Sequence, residues 1–94
     1  GLAGCRVDAG REALSAGNLE EAEAQLRAAV ALGVPDSTVR LAWVLIGDVK
    51  WAGGDTTVAL ESYRKATVGA EDDNPMAVRA REQMQKLLGN TPTP

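Results

Sequence analysis

Five positions of this chain correspond in register, four of them with the same residue: Gly10, Gly17, Ala22, Leu26 and Ala29 are answered by Gly47, Gly54, Ala59, Tyr63 and Ala66, each displaced by 37 residues. A tandem copy of that length restricts the fold to a stack of small units, because a helix pair too small to bury its own apolar face becomes stable only against a neighbour. Stacks of this kind form extended grooves more readily than enclosed reaction sites. The expected class is therefore all-α, with antiparallel helix-pair repeats, and no run shows strand alternation over a useful length.

Helix boundaries follow from local chemistry. Asn18 with Glu21 three residues on reads as a capping box that opens a helix at Leu19, whose apolar face is Leu19, Ala22, Leu26, Ala29 and Val30. Asp36, Asp55 and Asn74 supply three more N-caps, the last with Pro75 at the first helical position, where a missing N–H costs nothing. Gly33, Gly53-Gly54 and Gly89 supply stops. The expected helices span 5–16, 19–32, 37–52, 56–68 and 75–88. The fifth carries Met76, Ala80, Met84, Leu87 and Leu88 on one face and Arg79, Arg81, Glu82, Gln85 and Lys86 on the other, as a terminal cap with a polar outer side requires. Residues 1–89 thus form one domain, and 90–94, ending Thr-Pro-Thr-Pro, a disordered tail.

Trp43, Ile46 and Gly47 keep the spacing W-x2-L-G, and Ala59 with Tyr63 keeps A-x3-F, so residues 40–73 resemble a tetratricopeptide repeat. Residues 3–36 match more thinly, through Gly10, Ala22, Leu26 and Ala29. Arg6 stands where the repeat's Trp would be, Lys50 where its Tyr would be, and Pro35 and Pro75 lie later than its closing Pro. The resemblance implies a two-repeat helical solenoid plus capping helix, acting as a non-catalytic protein-interaction module that takes a peptide or protein segment in a helix-lined groove.

The third helix is apolar almost all round, through Leu41, Trp43, Val44, Leu45, Ile46, Val49 and Trp51. Trp43, Ile46 and Gly47 form the stripe expected in the core. Leu41, Val44, Asp48 and Trp51 form a second stripe, on the face that the resemblance assigns to the concave groove. Val7, Arg11 and Leu14 are the first-repeat residues of that groove, with Leu14, Val44 and Trp51 expected to make apolar contact and Arg11 or Asp48 to orient the ligand. Two alternatives stand beside a peptide groove: a self-association surface, since a stack of this kind usually needs about three repeats for stability, or a stripe covered by the fifth helix or a terminal segment. A homodimer is expected under the first of these.

Leu2-Ala3-Gly4-Cys5 resembles a bacterial lipobox, which implies lipidation of Cys5 and a bacterial envelope or periplasmic location, with the membrane reached only through that anchor. In that case the chain is an envelope lipoprotein serving as an assembly or structural subunit of a larger complex. Otherwise Leu2, Cys5, Ala9 and Ala13 are a helical stripe, Cys5 is a small buried apolar residue, and the location is cytoplasmic. The chain has no His, so Ser–His and Cys–His pairs and imidazole metal ligands are excluded. Glu20-Glu21-Glu23 suits the positive end of its helix, and Glu71-Asp72-Asp73 reads as a solvated turn. No enzymatic activity, cofactor or metal is expected. Ten basic and 13 acidic residues are interspersed at net charge −3, which leaves no basic patch to neutralise phosphates and excludes a nucleic-acid partner.

Overall fold

The computed structural model describes residues 2–32 and 37–89. Five helices account for nearly all of them: α1 (Leu2–Ser15), α2 (Leu19–Ala31), α3 (Ser37–Ala52), α4 (Thr56–Thr67) and α5 (Pro75–Gly89). The expected cap Asp36, the stop at Gly33 and the tail 90–94 lie outside the described residues. The other boundaries fall within a few residues of expectation. The largest difference is at α1, which begins three residues early and takes Leu2-Ala3-Gly4-Cys5 into the helix. Nothing in that stretch breaks a helix except Gly4, whose cost in a helix is about 1 kcal/mol.

The two turns α1–α2 and α3–α4 are built by the same hydrogen bonds. Gly17 N donates to Leu14 O and Asn18 N to Ala13 O; 37 residues on, Gly54 N donates to Trp51 O and Asp55 N to Lys50 O. This pairing closes a helix end around a residue in the left-handed region, and Gly17 (φ 79°) and Gly54 (φ 89°) take it without a Cβ clash. Asn18 and Asp55 then open the next helix, accepting from Glu21 N at 3.4 Å and Val58 N at 3.2 Å. The capping box expected at Asn18 is only half made. The Asn18 N–H is already committed to Ala13, so the Glu21 carboxylate turns outward and accepts from Gln25 Nε2.

Each helix pair is drawn together at a glycine. A Cβ on Gly10 would lie 2.5 Å from Leu26 Cγ, and one on Gly47 would lie 2.5 Å from Tyr63 Cε1. Small residues let helix axes approach, and the wholly buried Ala22, Ala29, Ala59 and Ala66 continue the contact. One core cluster gathers Val7, Ala22, Leu26, Ala29, Ala42, Leu45, Ile46 and Val49 between α1, α2 and α3. A second gathers Val44, Ala59, Tyr63, Ala66, Ala80 and Leu87 between α3, α4 and α5. Trp43 packs against both and is half-buried, with Lys65 Nζ 4.6 Å from its ring centroid; it is less enclosed than its place in the core stripe implied.

Consecutive helices pack on one another, and α1 also packs on α3 and α3 on α5, whereas α2 and α4 do not pack together. The molecule is accordingly a slab of 46 × 31 × 17 Å, two helix layers thick, with α1, α3 and α5 side by side in one layer. Two polar ties brace it. Lys50 pairs with Glu23 at 2.9 Å across α3 and α2, and Arg40 Nη1 donates to Ala66 O and Val68 O, covering carbonyls at the end of α4. Among the described residues no helix is long and apolar enough to cross a membrane.

Candidate protein-binding face

The layer of α1, α3 and α5 carries the residues read from the sequence as a groove, but the fold treats them unequally. Val7 (2% exposed) and Val44 (0%) are core residues, which corrects their place as ligand contacts. Val44 disappears because α5 lays Ala80 and Leu87 into the same cluster. The covering of the stripe by the fifth helix therefore holds at its centre. Leu14 and Leu41 are half-buried against the first cluster, Arg11 is exposed on α1, and Trp51 is half-buried against the second cluster.

Asp48 and Trp51 are brought together. With Ala52 and Gln83 they line a shallow hollow where the C-terminal end of α3 meets the middle of α5. Asp48 is also the hub of a polar junction among three helices. Its Oδ1 accepts the Tyr63 hydroxyl and, at 3.2 Å, Gln83 Nε2, while its Oδ2 meets Arg79 Nη2 at 3.4 Å. Burial, and then the hydrogen bond to Asp48, push the Tyr63 phenol far above its ordinary pKa, so it remains a neutral donor. Among the described residues no buried side-chain nitrogen or oxygen lacks a hydrogen-bond partner, which means this junction is internally satisfied.

Gln83, Arg79 and the Tyr63 hydroxyl were not singled out as site groups by sequence. One signal was present. Tyr63 stands where the repeat pattern has Phe, and a buried phenol needs a polar partner. Arg79 and Gln83, four apart on α5, were hidden because a polar pair on a helix reads as solvated until its docking angle is known.

A second hollow lies between α4 and α5, lined by Thr57, Leu60, Glu61, Arg64, Met84 and Leu88. The sequence placed Leu88 on the buried face of α5, whereas it is 59% exposed, because the buried stripe ends at Leu87. The carboxylate cluster of α2 also divides. Glu20 and Glu21 are exposed, while Glu23 accepts from Arg27 Nε at 2.8 Å and pairs with Lys50; hydrogen bonds from Arg27 and Lys50 hold its pKa below the ordinary value. Glu71, Asp72 and Asp73 are exposed in the turn before α5. Among the described residues no group of His, Cys, Asp or Glu is placed to hold a metal ion. The Cys5 thiol is exposed, which corrects its reading as a buried apolar residue.

The chain matches no protein-family model, no curated protein and no solved structure.

Proposed function

We propose that the chain is a non-catalytic protein-interaction module, a tetratricopeptide-like stack of two helix pairs closed by α5, which holds a peptide or protein segment against the α1–α3–α5 layer. The recurrence of turn bonds and glycine crossings at one displacement supports the repeat reading. The observation that carries the binding reading is the hollow that half-buried Trp51 lines together with Asp48, Ala52 and Gln83. A half-buried indole anchored on a core cluster and wet on its other side is the residue type that dominates interfaces once a partner desolvates it. Leu14 and Arg11 extend the face along α1, and Leu41 along α3. Trp51→Ala is expected to weaken a bound partner by about 2 kcal/mol or more while the helical circular-dichroism spectrum is retained. A partner that binds both forms equally excludes this face.

The exposed Cys5 thiol favours a second reading, an envelope lipoprotein acting as an assembly subunit. Cleavage before Cys5 would remove the first turn of α1 and leave the glycine crossing at Gly10 intact. Incorporation of labelled fatty acid in a bacterial host, lost in Cys5→Ser, supports that reading; equal labelling of the two forms excludes it.

A further inference from the structure

The two oxygens of Asp48 are engaged to different degrees. Oδ1 takes two donors, the buried Tyr63 hydroxyl and Gln83 Nε2, which fix the carboxylate from within the fold. Oδ2 faces Arg79 at 3.4 Å, a long contact for an ion pair, with the Arg79 side chain 50% exposed and that of Asp48 17% exposed. A carboxylate clamped on one side and lightly held on the other thus borders a hollow whose remaining walls are Trp51, Ala52 and Gln83.

One anionic oxygen beside an aromatic ring selects for a cation. The charge is drawn to the carboxylate and to the ring face, and the methylene stem of Lys or Arg covers apolar surface. An acidic side chain entering the same hollow would meet the Asp48 carboxylate, with the charge of Arg79, outside the hollow's lining, to offset it. The fold already makes a contact of the attractive kind where Lys65 sits over Trp43. Net charge −3 adds a weak long-range attraction for a basic segment.

Resting on the binding face proposed above, we infer that the hollow receives a cationic side chain, Lys or Arg, of the bound peptide. That side chain lies against Trp51 and takes Asp48 Oδ2 from Arg79. Arg79 is then an internal competitor, occupying in the free protein the place of the ligand's charge. The proposal makes opposite demands on two neighbouring residues: loss of Asp48 weakens binding, and loss of Arg79 strengthens it.

The test titrates the full chain, nitrogen-labelled for NMR, with a short Ala- and Leu-based peptide carrying one arginine, and with the same peptide carrying neutral citrulline. The Trp51 indole signal, identified by its loss in Trp51→Phe, reports the site. The arginine peptide is expected to shift it, and the citrulline peptide to bind roughly tenfold or more weakly. Arg79→Gln is expected to tighten the arginine peptide roughly twofold to fivefold, and Asp48→Asn to reduce it to the citrulline level. Equal binding of the two peptides at Trp51, or weaker binding to Arg79→Gln, overturns the cation preference and leaves the binding face standing. A Trp51 signal unmoved by either peptide overturns both.

Discussion

Gly47 and Gly10 occupy matching crossings but face different neighbours, and this sets how each can respond to a side chain. The ring against Gly47 is Tyr63, wholly buried and tied through its hydroxyl to Asp48, so it has no way to swing aside. Leu26, against Gly10, is buried too but retains rotamer alternatives. Gly→Ala in a helix gains up to about 1 kcal/mol in propensity, equally at both sites. Gly47→Ala is therefore expected to lower the thermal midpoint more than Gly10→Ala, and Gly47→Leu to cost roughly 1–3 kcal/mol or more by overpacking. An unchanged midpoint in Gly47→Leu would contradict the crossing. Replacing Lys50 with Leu is expected to cost a little stability, because Lys50 is engaged with Glu23. The two tryptophans separate in the same way. Trp43 touches both core clusters and Trp51 only the second, so in denaturant titrations Trp43→Ala is expected to lose more stability than Trp51→Ala. Since Trp43 is half-buried and not enclosed, its loss is expected near the lower end of the roughly 3–5 kcal/mol typical of buried Trp.

At the scale of the helices, what sequence makes legible is what neighbours along the chain determine. The turn at Gly53-Gly54-Asp55 and the cap at Asn18 were readable because a glycine stop and a capping side chain act within a few residues of the helix ends they set, whereas Gly17 was read only as a repeat position. Asp55→Ala is expected to cost about 1 kcal/mol, and Asn18→Ala less, since its bond is the longer of the two; a matched pair of urea midpoints measures this. Val44 was not legible as a core residue. Its helical position puts it in line with Asp48 and Trp51, and only the return path of α5 decides which of the three is covered. The tie between Glu23 and Lys50 was invisible for the same reason, and it gives α2 and α3 a pH-dependent bond. The folded pKa of Glu23 lies below its ordinary value of 4.5, so its contribution is complete above that pH and is lost as pH falls through the folded value. Both groups are partly exposed, which keeps the effect small. Wild-type stability is expected to fall more steeply below pH 4.5 than that of Glu23→Gln; parallel pH profiles would show that the pair contributes nothing.

Over the whole molecule, α5 has two consequences that pull in opposite directions. It buries Val44 and closes the second cluster with Ala80 and Leu87, and it builds the hollow at Trp51 by contributing Gln83. The surface expected for self-association is thereby split, with its apolar centre inside and its end at Trp51 outside. A chain ending at residue 73 would return Val44 and one side of Tyr63 to water. Fully exposing a side chain of this size forfeits about 1.5–3 kcal/mol, a large share of the stability of a domain this small. It would also remove Arg79 and Gln83 from Asp48, leaving the carboxylate paired with Tyr63 alone among its present partners. The shortened chain is expected to unfold at lower temperature and, where it remains helical, to associate through the uncovered α3 stripe. In sedimentation velocity its average mass should rise with concentration more steeply than that of the full chain. If the two chains sediment alike and melt alike, α5 is not the cover of the second cluster, and the Trp51 hollow loses the helix that forms its second wall.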